Sequence, residues 1–204
     1  MTAQERWRLL VIAGHEGNEQ VARDGLTDAD PVARQLALGA LERIGALSDD
    51  DVQQAFTDPD PTVRHRAALL AGTRPALSLL QMLHDEDATV VEAAAWAAGE
   101  QEVVSDEVLT LLCELATAGD EPLAREAAIA ALGAIGDERG LPAILAGCAD
   151  KPNIRRRAVL ALAPFSGPAV DAALSAALID RDWQVRQAAE DLLPHMGDDA
   201  ENLQ

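Results

Sequence analysis

The chain has 204 residues, enough for one domain with a substantial core or for one short repeat array. Hydrophobic residues reach 49% but aromatics only 2%; 41 Ala and 28 Leu take their place, which excludes a disordered chain and an all-β fold. The charge is 16 − 35 = −19, which sets the chain against phosphate backbones and anionic membrane surfaces, and two cysteines exclude a disulfide-rich secreted scaffold.

The opening segment, residues 1–16, carries a short apolar stretch, RWRLLVIAG. It is far shorter than the ~20 residues of a membrane span, and it lacks the h-region and A-x-A site of a signal peptide. The chain is therefore read as soluble and cytoplasmic. Of 16 basic residues only Lys151 is lysine. A high-GC genome and a salt-loving cytoplasm both account for that bias, and acidity does not choose between them.

From residue 17 to residue 195 the sequence repeats itself. Six segments fall in register: DPVARQLALGAL from Asp30, DPTVRHRAALLAG from Asp60, DATVVEAAAWAAG from Asp87, EPLAREAAIAALG from Glu121, KPNIRRRAVLALA from Lys151 and DWQVRQAAEDLL from Asp182. One position holds Arg34, Arg64, Val91, Arg125, Arg155 and Arg186, at spacings of 30, 27, 34, 30 and 31. Three residues on stand Ala37, Ala67, Ala94, Ala128, Ala158 and Ala189. A degenerate seventh copy opens the chain, with Arg6 at the Arg position and Gly14 aligned with Gly72, Gly99 and Gly133.

Each unit reads as two helices. The second starts at an acidic cap (Asp30, Asp60, Asp87, Glu121 or Asp182, with Lys151 the exception), and Pro31, Pro61, Pro122 and Pro152 occupy the first helical position, where a missing N–H costs nothing. These helices are expected to end near Gly45, Gly72, Gly99 and Gly136, while Gly39 lies inside its helix. The first helices fill the gaps, roughly 17–26, 49–57, 75–84, 105–117, 138–148 and 168–179, with Leu77, Leu80 and Leu83 at helical spacing, Ser105 as a cap and Pro168 in a first turn. Residues 196–204 form an acidic tail. Neighbouring pairs bury their apolar faces on one another, so seven layers at about 8–10 Å each predict an array roughly 60 Å long.

The stretch TDPDPTVRHRAALLAG from Thr57 is close to the pattern D-x-D-x-x-V-R-x-x-A-A-x-A-L-G, and AREAAIAALGAIGDERGLPAIL from Ala124 carries the inter-helix turn as well. The chain thus resembles the HEAT-repeat family, in its short variety of about 30 residues known as the phycobilisome-lyase HEAT-like repeat. The resemblance implies an all-α fold, a right-handed α-solenoid of stacked helix pairs, formed as a single array over residues 1–204. It also implies a ladder of Asp–Arg hydrogen bonds between repeats, expected to break at Val91 and at Lys151.

Candidate chemistry is sparse. One enzyme of this fold, deoxyhypusine hydroxylase, holds two irons with repeated His-Glu pairs. Here His15-Glu16 is the sole such pair, placed in a Gly-flanked loop; Arg66 follows His65, and no His precedes Glu92. His84 and His195 are scattered. Cys113 and Cys148 read as small buried hydrophobes. The acidic runs Asp49-Asp50-Asp51, His84-Asp85-Glu86-Asp87 and Asp198-Asp199 lack the ligand periodicity of a calcium loop and read as solvated helix caps. No catalytic residue, cofactor or metal is expected.

The resemblance implies that the second helices line a concave surface, at the two residues on either side of the Val-Arg pair and the one after the Ala pair. These positions hold Pro61, Thr62, His65, Arg66 and Leu69 in the second unit, Ala88, Thr89, Glu92, Ala93 and Trp96 in the third, Asn153, Arg156, Arg157 and Leu160 in the fifth, and Trp183, Gln184, Gln187 and Asp191 in the sixth. Of these His65, Arg66, Leu69, Glu92, Trp96, Arg156, Arg157, Leu160, Trp183, Gln184 and Gln187 are the candidate partner-binding residues. Trp and Arg are the types enriched at binding hot spots. The expected function is a non-enzymatic scaffold that binds a protein partner on this face, with neither nucleic acid nor membrane as a partner. Two alternatives are a lyase-type or chaperone-like subunit acting on a tetrapyrrole-bearing partner and, against the charge, a HEAT-like DNA glycosylase with Trp96, Trp183, Arg156 and Arg157 in its groove.

Overall fold

A computed structural model describes residues 1–201, with side chains through Leu192. The expected acidic tail at 196–204 and His195 lie outside the described side chains. Thirteen α-helices and one 3₁₀ turn make up the described chain, without a strand. Seven are the second helices of the repeats: α1 (Ala3–Glu16), α3 (Pro31–Ile44), α5 (Pro61–Ala71), α7 (Ala88–Glu100), α9 (Pro122–Ile135), α11 (Pro152–Ala161) and α13 (Trp183–Glu201). Between them run α2 (Glu19–Gly25), α4 (Asp49–Ala55), α6 (Leu80–Leu83), α8 (Asp106–Ala118), α10 (Leu141–Gly147, after a 3₁₀ turn at Glu138–Gly140) and α12 (Pro168–Ala177). No described helix is long and apolar enough to cross a membrane.

The chain divides into two compact units, Met1–Ala97 and Ala98 onward. In the first, α1 packs on α3 and α3 on α5, with α2 and α4 behind them. In the second, α9, α11 and α13 stack in turn, backed by α8, α10 and α12. The six register alanines are fully buried, each at 0% exposure; an added Cβ on Gly25 of α2 would stand 2.9 Å from that of Ala37, and one on Gly147 of α10 3.1 Å from that of Ala158. Large side chains fill the space between the two helix layers, among them Phe56, Leu41, Leu112, Ile129 and Phe165.

Helix starts follow the caps. The carboxylates of Asp30, Asp60, Asp87 and Asp182 accept the N–H two residues on, and Ser48 and Ser105 accept the N–H three residues on. Glu121 and Lys151 make no side-chain cap bond, and there the proline at the first position carries the start. Helix ends follow glycine only in part. Gly45 and Gly136 stop α3 and α9 in the left-handed region, at φ 77° and 68°.

α7 ends as expected next to Gly99, which is its penultimate residue. The role of Gly99 is close approach: a Cβ there would stand 3.2 Å from the Cβ of Ala134 and 3.4 Å from the Cα of Ala131. Gly14 and Gly133 do the same against Ala40 and Ala161, where the backbone of the next second helix would lie 3.0 and 2.7 Å from an added Cβ. The alignment of Gly14 with these positions therefore marks helix-on-helix contact. α6 departs from expectation. Residues 75–79 are turn, bend or irregular, and only Leu80–Leu83 are helical, although Leu77 and Leu79 still reach the core.

The Asp–Arg ladder is present, but its acid is not the helix cap. Each D-x-D loop divides the work. The first Asp receives the arginine of the preceding repeat and the N–H of the second Asp, and the second Asp caps the helix. Arg34 binds Asp58 at 2.7 and 2.6 Å, Arg64 binds Asp85 at 2.7 and 2.8 Å, and Arg155 binds Asp180 at 2.9 and 2.8 Å. A second amino group of each donates to a loop carbonyl: Asp28 for Arg34, Asp58 for Arg64, Asp150 for Arg155. In the opening copy, Arg6 lies 3.1 Å from Asp28.

Lys151 does not break the ladder, contrary to expectation, because it stands at the cap and not at the receiving position. The receiving position holds Ala149, and Asp150 comes one residue late. Arg125 reaches it through a single contact of 3.4 Å, and its Nε is left without an acceptor. At the third repeat both halves of a rung are missing from the sequence: Val91 stands for the arginine and Gly119 for the receiving acid. The runs expected to be solvated are also engaged: Asp85 in the rung, and Asp51 in a capping box with Ser48 and a salt bridge to Arg23.

Candidate functional site

Two hollows among the described residues are lined by second helices alone, one within each unit. In the first unit a space of about 410 Å³ lies between α1, α3 and α5. α1 contributes Val11, Gly14 and His15; α3 contributes Gln35, Leu36, Gly39, Ala40 and Arg43; α5 contributes His65, Arg66 and Leu69. The last three are residues expected from the repeat register. The same register, applied to the first repeat, points to Gln35, Leu36 and Gly39. Arg43 and His15 lie beyond its five positions. His15 belongs to the last turn of α1 and not to a loop, because the helix runs on to Glu16 and is ended by Gly17, left-handed at φ 76°.

In the second unit a smaller space of about 200 Å³ lies between α11 and α13. Here the structure brings together six expected residues, Arg156, Leu160, Trp183, Gln184, Gln187 and Asp191, and adds Ala188. Trp183 is 65% exposed at the first turn of α13. Gln187 donates to Asp191 at 2.8 Å. Arg156 is exposed, whereas Arg157 lies outside the hollow and pairs with Glu126 at 3.5 Å. Arg155, the first of the three arginines, is buried in the ladder.

Trp96 and Glu92 line neither hollow. Trp96 is 48% exposed on α7, which places it on a surface and not in the core, while the alanines around it, Ala93, Ala94, Ala95, Ala97 and Ala98, are buried.

The remaining titratable groups act structurally. Among the described residues no three of His, Cys, Asp and Glu are placed to hold a metal. The cysteines are half-buried and not fully buried as expected. Burial pushes the Cys148 thiol up to about 11 and raises that of Cys113, so both stay protonated at neutral pH and are poor nucleophiles. Hydrogen bonds from Arg139 hold the Asp137 carboxyl down at about 2, where it caps the turn before α10.

The sequence matches the family of HEAT repeats over residues 50–133, 75–153 and 120–194, together well over half of the chain. The chain belongs to the HEAT-repeat family. Its HEAT fold recurs in solved structures. YibA from Escherichia coli overlays with a TM-score of 0.62 at 17% identity, over 93% of this chain and 74% of that one. An engineered protein overlays with a TM-score of 0.56 at 20% identity, over 89% and 97% of the two chains. Human deoxyhypusine hydroxylase overlays with a TM-score of 0.48 at 23% identity, over 95% and 79%. Among curated proteins none matches the sequence. In this HEAT-repeat protein the register alanines of α3, α5, α11 and α13 are buried, whereas Arg156, Trp183, Gln184 and Gln187 around the second hollow are exposed.

Proposed function

We propose that this HEAT-repeat protein is a non-enzymatic scaffold, one continuous array in which the second helices hold segments of a protein partner. The observation that carries the reading is the hollow between α11 and α13: six residues singled out by their register converge there, with Trp183 largely in solvent. An exposed Trp beside an exposed arginine that makes no ion pair to a described residue offers the two residue types enriched at binding hot spots. Leu160 supplies an apolar floor, and Gln184 offers amide donors and acceptors at the rim.

The test is capture from the native lysate with immobilised wild-type chain and with Trp183→Ala and Arg156→Glu. A protein retained by the wild type and lost from both variants, with melting temperatures unchanged, supports the reading. Retention that is the same for all three overturns the assignment of this surface.

A further inference from the structure

We infer that the hollow between α1, α3 and α5 recognises an acidic protein segment, an extended stretch that presents carboxylates to Arg43 and Arg66 and apolar side chains to Leu36 and Leu69. This deepens the scaffold reading and rests on it, but uses a different surface from the one that carries that reading.

Charge decides the occupant. The chain holds 35 acidic residues against 16 basic ones, yet none of the residues lining this space is Asp or Glu, while four are Arg or His. Most arginines on or beside these helices are spoken for: Arg34 and Arg64 by the ladder, Arg74 by Glu42 and Asp49. Arg43 and Arg66 make no ion pair or hydrogen bond to another described residue. Two guanidiniums facing one cavity in a chain with a large surplus of carboxylates form a local cationic spot, and guanidinium matches carboxylate in a two-bond fork.

The backbone is arranged around that spot. Gly39 weakens the interior of α3, but a Cβ there would come within 3.3 Å of an Arg66 amino group. Glycine at this position clears the floor of the hollow for the Arg66 side chain. Leu36, Leu69 and Val11 add apolar wall, and His15 and His65 add ring nitrogens. The volume falls in the range of ligand sites.

A nucleic acid is the poorer fit. Net charge −19 repels a polyanion, and no Phe, Tyr or Trp lines the space to stack on bases. A short acidic segment on an otherwise neutral partner feels mainly the local field, since screening at physiological salt reaches about 8 Å.

The experiment measures fluorescence anisotropy of three labelled probes on the full chain: a twelve-residue peptide of alternating Glu and Leu with Gly spacers, the same peptide with Lys for every Glu, and a twelve-nucleotide single-stranded DNA. The expected result is saturable binding of the Glu peptide, at least tenfold tighter than the Lys peptide or the DNA. Arg43→Gln and Arg66→Gln should each weaken it several-fold at unchanged melting temperature, and Arg181→Gln, an exposed arginine elsewhere, should not. Preference for the Lys peptide or the DNA, or Glu-peptide binding indifferent to Arg43 and Arg66, overturns the inference. The lysate capture above reports on the Trp183 surface alone, so the scaffold reading and this one fail separately.

Discussion

Arg64 closes on Asp85 through two parallel hydrogen bonds of 2.7 and 2.8 Å, with only 11% and 7% of the two side chains exposed. The pair links one repeat to the next and, through the Asp87 N–H, also shapes the loop that starts α7. Truncating one partner leaves the other charge largely out of water, so Arg64→Ala should cost ~2–4 kcal/mol in chemical denaturation. Arg125→Ala should cost less than about half of that, because its rung has one contact of 3.4 Å and Nε is already without an acceptor.

The late Asp150 is correctable. Replacing residues 149–151, Ala-Asp-Lys, by Asp-Ala-Asp reproduces the D-A-D-P loop at residues 28–31. Arg125 would gain a bidentate acceptor and α11 an Asp cap. Stability should rise by ~1–2 kcal/mol, read as a higher denaturation midpoint at constant slope.

Two interior glycines should respond oppositely to alanine. Gly133→Ala puts a methyl 2.7 Å from the Cα of Ala161, backbone that yields only if the helices part. It should destabilise by ~1–2 kcal/mol despite the gain in helix propensity. Gly39→Ala meets only the flexible end of Arg66 at 3.3 Å and should stabilise by ~0.5–1 kcal/mol. Paired thermal melts check the contrast.

Acid should loosen the ladder. Hydrogen bonds from Arg155 hold the Asp180 carboxyl below its ordinary value. Burial pulls Asp85 upward, but hydrogen bonds from Arg64 and the Asp87 N–H outweigh it and lower that group too. A depressed folded pKa means that the unfolded chain takes up protons first as pH falls. The contribution is therefore full above the ordinary carboxylate pKa of ~4 and disappears as pH falls through the folded values. Between pH 6 and pH 3 the wild type should lose more stability than Asp85→Asn, measured by urea titration at each pH.

Trp96→Ala should cost ~1 kcal/mol, well under the 3–5 kcal/mol of a core Trp, because about half of the ring surface is in solvent. A loss near the core value in a thermal melt would return Trp96 to the interior.

Much of this protein was written in periodicity. A proline one residue after an acidic cap, an arginine four after it and an alanine three further on are local signals repeated down the chain, and each unit that carries them builds the same helix. Repetition made the stacked fold readable because every repeat meets its neighbours through the same positions. The register likewise singled out residues around both hollows, from His65 and Arg66 to Trp183 and Gln187.

What only the tertiary structure decided were matters of one neighbour against another. Asp58 and Asp60 are the same residue type two positions apart, and the distance to Arg34 assigns one to the ladder and the other to the cap. Gly45 and Gly99 both stand at helix ends, but the first turns left-handed in open space while the second, still helical, has Ala131 and Ala134 of another helix against it. Arg156 and Arg157 are adjacent in sequence, yet Glu126 lies within reach of one of them alone. Periodicity states which way a side chain leaves its helix; what it meets there depends on the facing helix, and that is settled by packing.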